Sequence, residues 1–328
     1  MNDLDIISIG DTTTDVFLDI HDADLHCNVK KEECLLCLRY ASKVPVKSVV
    51  EIDAVGNAAN NAIGSARLGL KAAIWTSLGN DINGGQALDV FKEENVGTDL
   101  IIKDETKGTN FSAVLNFNAE RTILVYHEKR KYDFPELPKS KWIYLTSMAA
   151  GWEKITKPLL NHIANSETNL AFNPGTYQLK SGLRKLRTIF KVTDLLIVNL
   201  EEAQKILGVV KPVEFLLKEL WKQGAKKVVI TNGPEGADGF DGKSHCHMPI
   251  YPDPQPVVER TGCGDSFSTA FIAALIYGKD MHEGLKWGAA NARSVIQYVG
   301  AREGLLPVEK IEQTLKEFPH IFPVKREI

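Results

Sequence analysis

The stretch ERTGCGDSFSTAFIAAL, residues 259–275, joins a run of small residues to an apolar run at helical spacing. Gly262, Cys263 and Gly264 leave the backbone nearly bare, and an acid, Asp265, follows at once. The first N–H groups of a helix have no intrahelical partner and carry the positive end of the helix dipole. Bare backbone lets a tetrahedral anion approach those groups closely. The stretch therefore predicts a helix that begins at an anion-binding loop.

Asp265 needs a separate explanation, because a bound anion would repel its carboxylate. One explanation is that Asp265 is the N-cap of the helix, a position that favours aspartate. The other is that it accepts a proton from a hydroxyl group attacking a phosphate held by the same loop. The stretch alone leaves both explanations open.

Length and composition limit the classes of protein to which the chain belongs. Its 328 residues are 44% hydrophobic and 25% charged, as in a globular protein with one large domain or two small ones. A net charge of −3 argues against a nucleic-acid-binding protein. No apolar run approaches the roughly 18–20 residues of a membrane span. The acidic N-terminus predicts a strand rather than a signal peptide, so we expect a cytoplasmic protein.

The cysteines are predicted to be reduced thiols, because their number is odd and no signal peptide precedes them. They are Cys27, Cys34, Cys37, Cys246 and Cys263. The Cys-x-x-Cys pair at 34–37, with His26 and Cys27 upstream, offers half a zinc site as the weaker alternative, because a closed site needs four ligands. The other cluster, HCH at 245–247, is typical of alternating positions on a strand.

Short β-rich runs alternate with helical patterns along the chain. The strands are predicted in DIISIG, KAAIWTSLG, KWIYLTSM, NLAFNPG, DLLIVNL and KKVVITNG, and the helices at about 57–69, 83–95, 152–165, 201–208 and 213–223. Apolar strands separated by helices predict a parallel sheet covered on both faces. After Asp265 the chain is predicted to be helical for much of its remaining length.

Two regions break this alternation, and we expect them to form a lid. Residues 16–53 show period-2 patterning without an amphipathic helix, and residues 108–130 predict a hairpin with its turn near Asn118-Ala119-Glu120. Paired with each other, they would form a small sheet beside the main site. Whether the lids of two subunits pair to form a homodimer stays open.

Small and polar residues recur where the predicted parallel strands end, and ligands of open α/β sheets bind at this edge. These residues are Gly10, Asp15, Asn173, Gly175, Asn199, Thr231 and Gly233. The Gly-x-x-x-x-Gly-Lys-Ser/Thr loop and the complete dinucleotide fingerprint are both absent. A phosphate would therefore be held by a different loop.

The segment TGCGDSFSTAF resembles the carboxy-terminal signature of the ribokinase-like (PfkB) carbohydrate kinases, Asp-Thr-x-Gly-Ala-Gly-Asp. Residues 54–81 resemble the amino-terminal signature, and NLEE at 199–202 matches the family's Asn-x-x-Glu. ITNGPEGA at 230–237 is similar to the nucleotide segment, and 289–301 to the last helix on the nucleotide side. The matches run in family order over nearly the whole chain.

The resemblance implies one ribokinase-like three-layer α/β/α domain over residues 1–328, with a mostly parallel central sheet and a small β lid. It implies phosphorylation of a sugar hydroxyl by ATP and Mg²⁺, without nucleic-acid or membrane partners. Asp265 would be the base, above an anion hole formed by Gly262, Cys263 and Gly264. Asn199, Glu202, Thr231, Gly233, Gly236 and Asn291 would bind the nucleotide, with Glu202 holding Mg²⁺ through water, and Asp15, Gly56, Asn57 and Asn60 would bind the acceptor. A nucleoside kinase and a catalytically idle binding protein are the alternatives.

Three positions depart from the family pattern. Val55 replaces a glycine near the acceptor, and Cys263 replaces the usual alanine. Glu259 and Arg260 replace the Asp-Thr pair, so activation by K⁺ is in doubt. Elsewhere, the basic cluster HEKRK at 127–131 is expected to be solvated surface rather than a second phosphate site, and Trp75, Trp142 and Trp287 are expected in the core.

Overall fold

The computed structural model describes residues 3–28, 34–118, 120–254 and 257–327. The strands are β1 (Leu4–Ile9), β2 (Thr13–Ile20), β3 (Asp24–Cys27), β4 (Cys34–Cys37), β5 (Val46–Val55), β6 (Ala72–Trp75), β7 (Ser77–Gly79), β8 (Ile102–Asp104), β9 (Asn110–Phe117), β10 (Glu120–Tyr126), β11 (Ser140–Leu145), β12 (Asn169–Phe172), β13 (Leu195–Asn199), β14 (Val228–Thr231), β15 (Ala237–Phe240), β16 (His245–Met248) and β17 (Val324–Arg326). The α-helices are α1 (Asn57–Arg67), α2 (Ile82–Glu93), α3 (Thr156–Ala164), α4 (Thr176–Lys180), α5 (Leu183–Phe190), α6 (Leu200–Leu207), α7 (Val213–Lys222), α8 (Cys263–Ile276), α9 (Met281–Val295) and α10 (Val308–Glu317). Short 3₁₀ helices span Trp152–Ile155 and Gly233–Glu235.

Within these residues the central sheet has nine strands, in the order β17-β16-β15-β14-β13-β12-β11-β1-β6. The strands from β14 to β6 are parallel, and β15, β16 and β17 extend the sheet antiparallel. The predicted mostly parallel sheet is confirmed. The predicted strand over 71–79 divides instead, because β7 leaves the central sheet and pairs with β8.

Both faces of the central sheet are apolar, which makes the fold three layers thick. Helices α3, α5, α6 and α7 cover one face, and Ile7 and Ile9 point into that layer. Helices α8, α9 and α10 cover the other, where Ile6 contributes. A parallel strand buried on both sides needs such a run of apolar residues. Trp75, Trp142 and Trp287 are buried in these layers, as predicted.

A second sheet of four strands, which we call the lid sheet, has the order β10-β9-β2-β5. Phe17, Ile52 and Val114 lie on one face and pack with Val299 of the main body, so this is the inner face. Pairing register places Asp15 and Arg121 on the inner face as well. Both predicted excursions contribute strands, and β9 and β10 form the predicted hairpin. Ala119 of its predicted turn lies outside the described residues.

The prediction of uniformly reduced cysteines is wrong. Cys27 and Cys34 form a disulfide across the hairpin of β3 and β4, where they face each other in register. Composition could not reveal this, because the hairpin register brings the sulfur atoms together. Cys37, Cys246 and Cys263 are free thiols. In the described part of the chain, no helix is long and apolar enough to cross a membrane.

Candidate active site

The helix α8 begins as the sequence predicts, with bare backbone at its N-terminus. Gly262 is the N-cap and adopts a left-handed conformation with φ of 76°. A Cβ at Gly262 would lie 2.1 Å from the Cβ of Ala301, so the close packing requires glycine. A Cβ at Gly264 would meet no atom within 4 Å, and Gly264 is exposed. The first turn of α8 therefore faces open space that a phosphate group could fill.

Asp265 lies in the first turn of α8 but does not cap it. The N-cap, Gly262, makes no side-chain capping bond. The Asp265 carboxylate instead accepts a hydrogen bond of 2.8 Å from Nδ2 of Asn60 on α1. This geometry excludes the N-cap explanation and turns the carboxylate toward the acceptor side of the helix terminus.

Burial raises the pKa of Asp265 to about 6, and the nearby charge of Asp15 adds to the shift. The Asn60 hydrogen bond and the charge of Arg121 oppose it. A carboxyl group that ionises near neutral pH suits a general base, because it is deprotonated yet still basic enough to accept a proton. The sequence analysis missed Arg121, which is exposed on β10 of the lid sheet.

Two of the predicted acceptor residues lie close to Asp265, since Asn60 is hydrogen-bonded to it and the charge of Asp15 acts on its pKa. Burial raises the pKa of Asp15 to about 6, opposed by hydrogen bonding from Ser112 and by the charge of His127. Oδ1 of Asp15 and Oδ1 of Asn60 are buried and have no hydrogen-bond partner among the described residues. A buried polar atom without a partner is costly, so these two atoms favour a ligand that carries hydroxyl groups.

Gly56 and Asn57 fix the start of α1 beside these acids. Gly56 has φ of 107°, and a Cβ there would lie 2.9 Å from the carbonyl oxygen of Asp11. Nδ2 of Asn57 donates to Oδ1 of Asn173 over 3.1 Å, and Asn173 in turn donates to the carbonyl of Ile197. The amide of Asn57 is therefore held at the carboxyl ends of the parallel strands.

A cavity of about 300 Å³ adjoins the anion loop on the other side of α8. Its lining includes four of the six predicted nucleotide residues, Asn199, Thr231, Gly233 and Gly236, together with Cys263 and Gly264 of the predicted anion hole. Tyr251, Phe267 and Ile296 supply an apolar wall. An apolar slot that opens onto a helix N-terminus has the features needed to bind a nucleotide, with its nucleobase in the slot and its phosphates at the helix N-terminus.

Asn291 does not have the predicted position. Its side chain is fully buried, donates to the carbonyl of Ser266 and accepts from N–H of Leu306, at 2.8 and 2.9 Å. It is not part of the cavity lining. Both ends of its amide are hydrogen-bonded within the protein. Asn291 therefore connects α9 to α8 and to Leu306 in the segment after α9, rather than lining the nucleotide cavity.

Asn199 and Glu202 form a reciprocal capping box at the start of α6. Glu202 N–H donates to Asn199 Oδ1 over 2.8 Å, and Asn199 N–H donates to Glu202 Oε2 over 2.9 Å. The Asn-x-x-Glu spacing is itself a capping signature, which the sequence analysis did not consider. Burial raises the pKa of Glu202, and the charge of Asp265 adds to the shift, so the two acids are close. Glu202 Oε1 makes no hydrogen bond within the described residues and fits a Mg²⁺-bound water.

Glu259 and Arg260 both have partners in the loop before α8. Glu259 is buried and accepts a hydrogen bond from N–H of Gly300. Arg260 pairs with Asp253 at 2.9 Å, and both line the cavity. The guanidinium of Arg260 therefore lies at the rim of the cavity, with its charge balanced by Asp253.

The thiol of Cys263 is half-buried, and burial raises its pKa to about 11. It is therefore protonated at neutral pH, and only its backbone is suited to anion binding.

The basic cluster HEKRK at 127–131 is not a solvated surface as a whole. Arg130 is buried and donates to Asp104 over 3.1 Å and to the carbonyl of Gly108. These bonds tie the exit of the lid sheet to the loop after β8. His127 is half-buried next to Asp11. The cluster thus divides into buried and exposed members that the sequence could not separate.

The model of the pfkB family of carbohydrate kinases matches residues 22–308. The chain belongs to this family. As a member it is an ATP-dependent phosphotransferase with a carbohydrate alcohol as acceptor. An uncharacterized sugar kinase from Archaeoglobus fulgidus is 26% identical over 251 residues, which cover 74% of this chain and 98% of the relative.

Two further comparisons concern a sequence relative and a solved structure. A 5-dehydro-2-deoxygluconokinase from Clostridium tetani is 24% identical over 80% of this chain and 84% of its own. The structure of Arabidopsis thaliana ribokinase complexed with ribose and ATP superposes with a TM-score of 0.79 at 19% identity, covering 96% of this chain and 99% of that one. The superposition confirms the ribokinase-like fold.

Proposed function

We propose that the protein transfers the terminal phosphoryl group of ATP to a hydroxyl group of a sugar or sugar derivative, with Asp265 as the general base. The observation that carries the proposal is the bond between Asn60 and Asp265 beside the open N-terminus of α8. This bond holds the weakly acidic carboxyl group of Asp265 next to the candidate anion site. It also holds it next to Oδ1 of Asp15 and Oδ1 of Asn60, which have no hydrogen-bond partner among the described residues.

The chain's own residues supply most of what phosphoryl transfer needs, which is positioning and neutralisation of charge. Asp265 accepts the proton of the acceptor hydroxyl as the hydroxyl oxygen bonds to the terminal phosphorus of ATP. The bond from that phosphorus to the bridging oxygen breaks, and ADP leaves. The backbone N–H groups of Gly262, Cys263 and Gly264 stabilise the charge on the transferred group. Asn60 keeps the base oriented.

The cavity lined by Thr231, Gly233 and Gly236 would hold ATP, with Arg260 at its rim. Glu202 would hold Mg²⁺ through water, because its Oε1 is free and its Oε2 is fixed by the capping box. Bound Mg²⁺ neutralises phosphate charge during transfer. Glu259 is already occupied by Gly300, and this supports weak dependence on K⁺.

The acceptor is a sugar or a sugar derivative rather than a nucleoside. Asp15, Asn57 and Asn60 offer hydrogen-bonding groups for several hydroxyls, and the Clostridium tetani relative is named as a kinase of a sugar derivative. The amides of Asn57 and Asn60 are groups that a nucleobase could also contact. Nucleosides are therefore the competing acceptors in the test.

The inner face of the lid sheet, which carries Asp15, would cover the acceptor, and its outer face would pair with a second copy of the chain. On that face Val49, Phe111, Leu124 and Tyr126 are exposed, and the first three have no polar atom in the side chain. Four large exposed apolar or aromatic side chains on one small sheet favour burial in a homodimer.

The test is a screen of ATP consumption over pentoses, hexoses, sugar acids, sugar phosphates and nucleosides. We expect a sugar or sugar acid to stimulate ATP consumption most. A nucleoside with kcat/KM tenfold above every sugar would change the acceptor class, since tenfold corresponds to about 1.4 kcal/mol of transition-state preference. No stimulation by any acceptor, with ATP bound, would favour the idle binding protein.

A further inference from the structure

His127 lies at the end of β10, where the lid sheet returns to the main body, and its imidazole is held from two sides. Nδ1 is 3.6 Å from Oδ2 of Asp11. The ring meets Tyr177 edge to face, with 6.2 Å between ring centroids. These contacts place the imidazole between Asp11 and Tyr177, and the family signatures do not contain this side chain.

Asp11 is a rigid anchor for this imidazole. Its buried carboxylate accepts hydrogen bonds from the hydroxyl of Tyr132, at 3.0 and 2.9 Å, and from N–H of Ala149, at 2.8 Å. Desolvation, together with Asp11, strongly raises the pKa of Tyr132, so its hydroxyl stays a donor. Asp11 is thus fixed before any ligand arrives.

The two ring nitrogens of His127 have different surroundings. Nδ1, next to Asp11, is buried and makes no hydrogen bond within the described residues. Because the ring nitrogens point in different directions, Nε2 is turned away from Asp11. The carboxylate of Asp15 is close enough for the charge of His127 to act on its pKa, and Oδ1 of Asp15 is also buried without a partner.

We propose that His127 binds the acceptor, with Nε2 forming a hydrogen bond to a hydroxyl adjacent to the one bound by Asp15, while Asp11 positions the imidazole. The register of the lid sheet brings the end of β10 close to Asp15, because Val125 pairs with Ser112 and Ser112 pairs with Asp15. This arrangement favours an acceptor with neighbouring hydroxyl groups. This inference rests on the proposed function, in which Asp15 binds the acceptor. It adds a specificity-determining residue from a segment that sequence patterns assign to the surface.

The test is calorimetric titration of the full-length protein with D-ribose, D-fructose and D-gluconate, each alongside an analogue lacking one hydroxyl. The variants are His127→Phe, which keeps an aromatic ring against Tyr177, and His127→Gln, which keeps an amide near the position of Nε2. His21→Phe replaces an exposed histidine after β2 and is the matched control. Titration with ATP and circular dichroism report on the rest of the molecule.

We expect His127→Phe to weaken binding of the best sugar at least about tenfold and to lose the preference over its deoxy analogue, as expected when a site's hydrogen-bonding group is removed. His127→Gln should retain most of the binding, and ATP affinity and the control should be unchanged. Unaltered sugar binding in His127→Phe overturns the inference, as does a parent that binds none of these polyols.

A second pair of variants decides the matter if His127→Phe does not fold. Gln places its amide toward the acceptor and Asn places it toward Asp11, so the inference requires His127→Gln to bind sugar more tightly than His127→Asn. The two proposals fail separately. If sugar binding depends on His127 but no ATP is turned over, the proposed kinase function is contradicted and the His127 inference stands. If ATP turnover is the same with and without His127, the kinase function stands and the His127 inference is contradicted.

Discussion

Asn60 donates a 2.8 Å hydrogen bond to Asp265 across 205 residues of chain. The bond connects α1, which carries the predicted acceptor residues, to α8, which carries the anion loop. The base is therefore oriented by the acceptor side of the site. A change in either helix would alter both parts of the site together.

Replacing Asp265 by Asn removes the proposed proton acceptor and should leave the surrounding structure unchanged. Because Gly262 caps α8, we expect Asp265→Asn to melt within a few degrees of the parent and to bind ATP at least as tightly. Turnover should fall at least about a hundredfold, since general-base assistance is typically worth about 10²–10⁴ in rate. Melting curves, ATP titration and steady-state kinetics check these outcomes.

Asp280→Asn is the matched control for that variant. Asp280 is a true N-cap, whose side chain accepts from N–H of Glu283 at the start of α9. Asn caps about as well as Asp, so turnover and stability should both be close to those of the parent. Near-parental turnover in folded Asp265→Asn would contradict the base assignment.

The raised pKa of Asp265 gives stability and activity opposite pH dependences. The folded-state pKa is about 6, against 3.8 for the free group. Between these values the folded chain binds more protons than the unfolded chain, so the contribution of Asp265 to stability is lost as the pH rises from about 4 to about 6. The base must be ionised, so kcat/KM should rise to a plateau above about pH 6.

Asp265→Asn provides the measurement of this linkage. The variant cannot ionise at this position, so its Tm relative to the parent should increase between pH 4 and pH 7. Asp15, with a pKa also about 6, adds a similar loss that both proteins share. A constant difference in Tm across this range would show that Asp265 has an ordinary pKa.

Monovalent cations should affect turnover weakly. Glu259 accepts from N–H of Gly300, and Arg260 is paired with Asp253, so both side chains that replace the family's Asp-Thr pair already have partners within the protein. Replacing K⁺ by tetramethylammonium at fixed ionic strength should leave kcat within about twofold, well below 1.4 kcal/mol of barrier. A tenfold loss would reveal a cation site elsewhere in the loop.

The cysteines should differ sharply in reactivity. Alkylation of the native protein at pH 8 should label Cys37 first, because it is a partly exposed free thiol. Burial raises the pKa of Cys246 and of Cys263, so little thiolate is available to react. Cys27 and Cys34 should be labelled only after reduction. Peptide mass mapping checks the order, and labelling of Cys27 without reductant would contradict the disulfide.

The outer face of the lid should control assembly. Leu124→Lys places a charge among its exposed apolar side chains and should shift the protein from dimer to monomer in sedimentation velocity. Val210→Lys changes an 82% exposed residue between α6 and α7 and is the matched control. If the parent protein sediments as a monomer at micromolar concentration, the proposed lid dimer is contradicted.

Much of this architecture could be predicted because it depends on local patterns. The apolar runs of β1, β11 and β13 specify buried parallel strands, and the bare loop at 262–264 specifies the start of α8. Family order then located Asp265 and, in the cavity lining, Asn199, Thr231, Gly233 and Gly236. These features can be predicted from the sequence because each depends on residues that are adjacent in the chain.

The parts that sequence analysis missed depend on contacts between distant residues. Asn291 was expected to line the nucleotide cavity, yet its amide is satisfied by Ser266 and Leu306. Arg130 is buried by its partner Asp104, and His127 is brought to Asp11 only when the lid strand returns to the body. Such pairings follow from tertiary register, which no local pattern contains.

The division of labour at the N-terminus of α8 has an evolutionary consequence. Gly262 shapes the turn and Asp265 carries the chemistry, so the scaffold and the activity can mutate independently. A single codon change at position 265 would silence the enzyme and leave a folded protein with both ligand-binding regions intact. Such a descendant would be a ready-made metabolite sensor, and its overall fold would not distinguish it from its active parent.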